Sequence, residues 1–138
     1  MTPRYMLDTN ICIHIRRARP LAVMRRFAKA IPGTVVTSVI TYGELADGVA
    51  RSQDPDEAGR RLAALARLIP VLPIEERVGA LYGRLRADLA VAGRLIGGND
   101  LWIGTHACVA DLTLVTNNVG EFERVDGLRI EDWTIDAA

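Results

Sequence analysis

Three acidic residues stand at places where a folded chain can bring distant side chains together. Asp8 directly follows the apolar stretch 5–7, Glu44 comes soon after the β-branched stretch 34–37, and Asp100 opens the helical segment before the fourth predicted strand. Carboxylate oxygens are the ligands that Mg²⁺ takes in proteins. A cation held by such acids activates water and stabilises the charge that develops during phosphodiester hydrolysis. If they converge, the three acids therefore indicate metal-assisted hydrolysis of a phosphate ester.

Each acid also has an ordinary structural explanation. Asp8 has the position of a helix N-cap, whose side chain accepts a backbone N–H. Thr41 and Glu44 have the spacing of a capping box at the start of a helix, and Asp100 can complement a helix dipole. The structural explanations do not require the three acids to lie close together, whereas the functional interpretation does. Acids that lie close together raise one another's proton affinity unless a cation is bound among them, so their proximity would indicate a metal site.

Alternating strand-like and helix-like segments must position these acids. Short apolar or β-branched stretches predict strands at 5–7, 34–37, 70–74 and 112–116, with a last strand or extended tail within 128–133. Apolar residues at intervals of three and four predict helices at 21–30, 38–51, 56–68, 75–92 and 99–110, and 11–15 predicts a short helix or turn. This order is typical of an α/β domain, with a mostly parallel sheet and helices on both faces. In such sheets ligands bind outside the carboxyl ends of the strands, where the acids are predicted to lie.

Composition restricts the class of protein further. The 138 residues suit a single globular domain, and 17 basic residues balance 17 acidic ones, so the whole molecule has no net attraction to nucleic acid or to an anionic membrane. No charged and then apolar leader begins the chain, and no apolar run has membrane-spanning length, so we expect a cytoplasmic protein. Cys12 and Cys108 lack metal-ligand spacing and are predicted to be buried, reduced thiols.

Several polar and aromatic residues near the acids have less specific patterns. Thr9 and Thr116 can orient a ligand through their hydroxyls, but turn hydroxyls usually bond the local backbone, and we expect that here. Trp102 lies close to Asp100 in sequence and can stack on a base, although core packing is favoured. His14 and His106 have no partner at metal-ligand spacing, so neither is predicted to be a general base.

Four stretches that carry the candidate residues resemble, in order, the four motifs of PIN-domain ribonucleases. The likeness is closest to the VapC-type toxins of bacterial toxin–antitoxin pairs. The stretches are LDTN at 7–10, SVITYGEL at 38–45, GNDLWI at 98–103 and LVTNNVGEF at 114–122. Because the likeness runs from about residue 6 to about residue 133, it implies a single PIN-like domain over residues 1–138.

The resemblance also implies an activity and a set of site residues. It implies a metal-dependent endoribonuclease with Asp8, Glu44 and Asp100 as ligands of Mg²⁺, for which Mn²⁺ can substitute. Many relatives carry a fourth acid at the place of Asn118. The amide of Asn118 brings no charge, and Glu121, one helical turn further on, is the candidate to replace the missing acid. We therefore keep Asn118 and Glu121 as candidate catalytic residues.

The resemblance further implies RNA as substrate, a homodimer in the bacterial cytoplasm without a membrane partner, and neutralisation by a cognate VapB-type antitoxin. The alternative is a catalytically degenerate PIN-like module that only binds RNA or protein, and the uncharged Asn118 keeps it open. A phosphatase with Asp8 as covalent nucleophile is disfavoured, because Asn10 stands where that chemistry needs a second acid.

Overall fold

A five-stranded parallel sheet forms the centre of the molecule. The structure is a computed structural model and describes residues 2–135. Its strands are β1 (Tyr5–Leu7), β2 (Val35–Ser38), β3 (Val71–Leu72), β4 (Thr113–Val115) and β5 (Ile130–Glu131). They lie in the order β3-β2-β1-β4-β5, and every neighbouring pair is parallel. Proline residues flank β3 at the sheet edge, where their lack of an N–H costs no ladder hydrogen bond.

Seven helices connect the strands within the part of the chain that the structure describes. They are α1 (Thr9–Arg17), α2 (Leu21–Lys29), α3 (Val39–Ala50), α4 (Pro55–Leu68), α5 (Glu76–Val91), α6 (Gly98–Val109) and α7 (Val119–Phe122). The predicted helices are present within a few residues of their expected bounds. The segment predicted as a short helix or turn at 11–15 is a helix of nine residues, α1. None of the helices in residues 2–135 is long and apolar enough to span a bilayer.

Apolar side chains on both faces of the sheet explain this layering. Successive strand residues point to opposite faces. Leu7 on β1 and Val115 on β4 therefore pack in one buried cluster with α1 to α4, while Met6 and Leu114 pack in another with α6. Strands that are buried on both faces have continuous apolar residues in the sequence, and these strands have that pattern. The prediction of a single α/β layer structure, with a parallel sheet and helices on both faces, is confirmed.

The start of α3 corrects one prediction. The helix begins at Val39, directly after β2, and the Ser38 hydroxyl accepts a hydrogen bond from the Ile40 N–H at 3.1 Å. Since Ser38 caps the helix, the predicted capping box of Thr41 and Glu44 is wrong. Glu44 lies in the second turn of α3, and its carboxylate is directed across the fold rather than back to the helix start.

The strand order creates a crevice at one edge of the sheet. β1 has β2 on one side and β4 on the other, so the chain moves to one side of β1 to form β2 and β3 and then crosses to the other side to form β4. Crevices for ligands form at such a switch point, outside the carboxyl ends of the strands. Asp8, Ser38 and Thr116 directly follow or end the three strands concerned. The backbone therefore delivers polar side chains from three separate motifs to this edge.

Candidate active site

Asp8 is the most buried acid of the crevice, with 5% of its surface exposed. One carboxylate oxygen accepts the Ile11 N–H at 3.0 Å and caps α1. The other accepts the hydroxyl of Thr116, at the end of β4, at 2.5 Å. Asp8 can therefore cap α1 and also act in the crevice, because the cap uses only one of its two carboxylate oxygens. Burial raises the pKa of Asp8, although both hydrogen bonds act in the opposite direction.

Glu44 reaches the same crevice from α3. Its carboxylate accepts the hydroxyl of Thr9 at 2.6 Å, and Thr9 is the residue next to Asp8. The repulsion between the Glu44 and Asp8 charges contributes to the raised pKa of Asp8. The two acids thus lie within electrostatic reach of each other, although 36 positions separate them in the sequence.

Asp100 and Glu121 complete the group of acids from the opposite side of β1. Asp100 lies in the first turn of α6, and it shares a hydrogen bond with Glu121 of α7. Burial, followed by the charges of Glu121, Glu44 and Asp8, raises the pKa of Asp100 to about 6. The pKa of Glu121 is lowered because its carboxylate accepts hydrogen bonds from the Gly97 N–H and the Asn118 amide, each at 2.9 Å. Of the two carboxyl groups, Asp100 therefore has the higher proton affinity.

Asn118 contributes through its amide rather than through a charge. Its side-chain NH₂ donates to Glu121, and its backbone N–H donates to the Thr116 hydroxyl at 2.9 Å. The Thr116 oxygen accepts the backbone N–H of Asn118, and the Thr116 hydroxyl donates its proton to Asp8. A carboxylate at position 118 would repel Glu121 instead. The asparagine and the glutamate thus form one hydrogen-bonded unit at the rim of the crevice.

The acid cluster, defined as Asp8, Glu44, Asp100 and Glu121, brings together all four acids selected from the sequence. The expectation that Thr9 and Thr116 bond only the local backbone is wrong, because each hydroxyl donates to an acid from another motif. Spacing along the chain gave no signal for these two contacts, since they depend on which strands are neighbours.

Histidine and aromatic residues near the cluster have structural contacts. His106 is buried, and its Nδ1 lies 2.8 Å from the Ser38 hydroxyl. Trp102 stacks on Tyr82 with 3.8 Å between the ring centroids and 7° between the planes. Trp102 therefore packs between α5 and α6, as expected, and its ring face is occupied by a neighbouring side chain.

The donor set suits a hard divalent cation. It consists of carboxylate oxygens with hydroxyl and amide neighbours. Burial and the charges of neighbouring acids raise the pKa of Asp100, and a bound cation would oppose that shift. Within residues 2–135, no group of three or more His, Cys, Asp or Glu side chains is already arranged to hold a metal ion. The carboxylates instead accept hydrogen bonds from Thr9, Thr116 and Asn118. Metal ligation by this cluster would therefore require its side chains to move from these positions.

Comparison with known proteins agrees with this fold. The family model described as the PIN domain matches residues 5–128. The chain therefore belongs to the PIN-domain family.

Within this family the chain is of the VapC type. It is 40% identical over 131 residues to ribonuclease VapC1 of Haemophilus influenzae strain R2866, a match that covers 94% of this chain and 98% of the relative. It is also 40% identical over 131 residues to the tRNA(fMet)-specific endonuclease VapC of Shigella flexneri, a match that covers 95% of this chain and 98% of the relative.

Solved structures of VapBC complexes contain the same fold. The VapBC-1 structure from nontypeable Haemophilus influenzae matches with a TM-score of 0.88 and 39% identity, over 95% of this chain and 98% of that one. A chain of the DNA-bound VapBC structure from Salmonella typhimurium matches with a TM-score of 0.89 and 35% identity, over the same shares of the two chains. The likeness thus extends over nearly the whole chain.

Proposed function

We propose that this protein is the toxin of a VapBC-type toxin–antitoxin pair and acts as a Mg²⁺-dependent endoribonuclease. The observation that carries the proposal is the convergence of four acids at the switch point of the sheet, where burial and the charges of the other three raise the pKa of Asp100 to about 6. Uncompensated charge of this kind destabilises a fold, so its presence in a crevice favours a catalytic role. The similarity to proteins named ribonuclease VapC supports RNA as the substrate.

Asp8, Asp100 and Glu44 would hold the cation, for which Mn²⁺ can substitute. The bound cation would supply an activated water and would neutralise charge on the phosphate during hydrolysis. Asp8 is suited to a fixed role, because the α1 backbone and Thr116 hold both of its oxygens. Glu44 is orientated by Thr9. Glu121 lies beside Asp100 and adds a further negative charge at the edge of this site.

Partners are proposed on the same basis. The solved relatives are VapBC complexes, which supports a VapB-type antitoxin as the neutralising partner of this chain. We also propose that the protein is a homodimer in the bacterial cytoplasm. Co-expression with the candidate antitoxin and size-exclusion chromatography with light scattering would test both statements. A monomer at micromolar concentration, or a toxin that the antitoxin does not inhibit, would contradict them.

RNA cleavage tests the proposed reaction directly. Purified protein is expected to cut single-stranded RNA with Mg²⁺ or Mn²⁺, to lose the activity in EDTA and to recover it when the cation is restored. Asp8→Asn should remove the activity without unfolding the protein. Asp111→Asn is the matched control, because Asp111 precedes β4 at the opposite end of the sheet. Full cleavage in EDTA, or full activity of Asp8→Asn, would overturn the proposal.

A catalytically degenerate binding module remains the second candidate, and the uncharged Asn118 is the feature that favours it. Calorimetric titration with Mn²⁺ distinguishes the two. An active site is expected to bind Mn²⁺ in a manner that depends on Asp8 and Asp100. A protein that binds RNA but shows no such cation binding would favour the second candidate.

A further inference from the structure

A groove of about 580 Å³ lies outside the acid cluster, and neither the family motifs nor the proposed reaction accounts for it. Its walls are the last turn of α1, the end of α3 and the first turns of α4. The residues that matter for its chemistry are Arg16, Arg17, Gly48, Ser52, Glu57 and Arg61.

Two arginines of the groove carry charge that the described residues do not neutralise. Glu57 accepts hydrogen bonds from Arg60 and Arg61, so its charge is compensated within α4. Asp54, which also lines the groove, caps α4 by accepting the Glu57 N–H at 3.2 Å. Arg16 and Arg17 are exposed and form no ion pair with any acid in residues 2–135. The groove therefore has a surplus of positive charge in guanidinium groups.

Two neighbouring helices connect this groove to the acid cluster. The hydrogen bond from Thr9 to Glu44 joins α1 and α3 beside the cluster, and both helices run away from the carboxyl edge of the sheet. Arg16 is seven residues beyond Thr9 in α1, which corresponds to about 10 Å at about 1.5 Å per residue. Ser52 lies just beyond the end of α3. Arg16 thus lies about 10 Å from Thr9 along the axis of α1, in the direction that leads away from the carboxyl edge.

This separation suits a nucleic-acid strand that passes through both sites. A stacked strand advances about 3.4 Å along its axis per phosphate, so 10 Å corresponds to about three nucleotides. Arginine binds phosphate oxygens through two parallel N–H donors. The alternative explanation for Arg16 and Arg17 is that they complement the dipole at the end of α1. That role needs only one charge close to the helix end and does not account for the open groove.

We propose that the groove lined by Arg16 and Arg17 binds a phosphate of single-stranded RNA about three nucleotides from the bond that is cut. The inference rests on the proposed ribonuclease function and extends it to the path of the substrate. The groove supplies affinity independent of base identity, because its charged groups are directed at the backbone. It explains how a chain without net charge can retain a polyanionic substrate.

The two arginines provide the first test. RNA binding is measured by fluorescence anisotropy with a labelled single-stranded oligoribonucleotide, in an Asp8→Asn background that prevents cleavage. Arg16→Gln with Arg17→Gln is expected to weaken binding on the order of tenfold. The slope of log affinity against log salt should fall by about 0.7 for each lost phosphate contact. Arg67→Gln is the matched control, since Arg67 is an exposed arginine of α4 that does not line the groove.

Gly48 provides a second test that does not depend on removing a side chain. A Cβ built on Gly48 has no atom within 4 Å, so larger side chains can enter the groove without a backbone clash. Gly48→Glu should weaken RNA binding and Gly48→Lys should strengthen it. Both replacements favour the helix over glycine. A difference between them therefore reports the charge of the groove rather than the stability of the fold.

The length of the substrate separates this inference from the proposed function. In a cleavable background, Arg16→Gln with Arg17→Gln should raise the KM for the long oligoribonucleotide and leave the cleavage of a dinucleotide unchanged. Wild-type protein that cuts no RNA with either cation would overturn the proposed function and the inference together. Normal cleavage with equal RNA affinity and salt slope in all groove variants would overturn the inference alone. If the groove variants lost antitoxin binding but kept their RNA affinity, the groove would be assigned to a protein partner, and the inference would also be overturned.

Discussion

Two polar groups at the carboxyl edge of the sheet have opposite electrostatics. In the acid cluster, like charges lie close together, and burial with the neighbouring charges raises the pKa of Asp100 to about 6. In the Ser38–His106 pair, a hydroxyl and an imidazole are in contact at 2.8 Å, and the ring also has a hydrogen bond to the Pro73 backbone. Burial lowers the pKa of His106, so the ring is neutral at physiological pH.

The difference between the two groups shows how a stabilising polar contact can be told from a functional one. Ser38 accepts the Ile40 N–H and offers its own proton to His106, so the described polar atoms of this pair have partners and no charge is buried. The acid cluster instead retains negative charge that its hydroxyl and amide donors reduce only in part. Groups that satisfy one another stabilise a fold, whereas groups that repel one another indicate a ligand of opposite charge.

The largest expected effect comes from removing one charge of the acid cluster. Asp100→Asn should lower Mg²⁺-dependent RNA cleavage by at least about a hundredfold, because metal ligands matter at least as much as the residues that orient them. The same substitution should raise the free energy of unfolding at neutral pH, since the asparagine has no charge to repel Glu121. Single-turnover cleavage and urea unfolding measure the two effects. A variant that loses stability together with activity would show that Asp100 is structural.

The pH dependence of this stability difference sharpens the comparison. The folded-state pKa of Asp100 is raised from 3.8 to about 6, so its protonation favours the folded state. That contribution is fully present below pH 3.8 and is lost as pH rises through about 6. The stability advantage of Asp100→Asn over wild type should therefore be greatest above this range and disappear below it. An advantage that does not change with pH would contradict the assignment.

The Ser38–His106 pair should behave in the opposite way. Ser38→Ala removes the cap of α3 and leaves a buried ring nitrogen without a partner, so we expect a loss of about 2–3 kcal/mol in unfolding free energy. Ser52→Ala is the matched control, because the Ser52 hydroxyl bonds only the local Val49 carbonyl in a half-buried position. Chemical denaturation measures both variants. Equal losses in the two variants would refute the proposed importance of the contact with His106.

A smaller effect is expected when charge is added to the acid cluster. Asn118→Asp replaces the amide that donates to Glu121 with a second carboxylate, so the thermal midpoint should fall in EDTA. With Mn²⁺ the same variant should bind the cation several-fold more tightly, because another oxygen ligand and another negative charge are present. Asn117→Asp on the neighbouring exposed residue controls for net charge. Calorimetry in which the two variants bind Mn²⁺ equally would exclude position 118 from the site.

The smallest expected effect concerns Thr105, the neighbour of His106 on α6. Its hydroxyl is fully buried and has no hydrogen-bond partner, in contrast to the Ser38 hydroxyl. Thr105→Val keeps the shape and removes the unsatisfied group, so stability should rise by about 1 kcal/mol. Thermal and denaturant unfolding at one pH measure the change. A destabilised valine variant would mean that the hydroxyl has an unrecognised partner.

The elements of the fold were predictable because their signals are local. Apolar runs such as residues 5–7 and helical spacings such as those in α5 fix the backbone within a few residues, and the structure reproduces them. The errors arose where a side chain chose between a local and a distant partner. Thr41 and Glu44 have the spacing of a capping box, but Ser38 already caps α3, and Glu44 bonds Thr9.

The sequence by itself determined the order of strands and helices, the identities of the acids and their places after strand ends, because these properties depend on neighbours along the chain. Tertiary structure decided that Thr116 bonds Asp8, that Glu121 pairs with Asp100 and that Arg16 faces a groove shared with α3 and α4. The physical reason is the strand order β3-β2-β1-β4-β5. It sets which distant segments become neighbours, and no periodicity within a single segment records that choice.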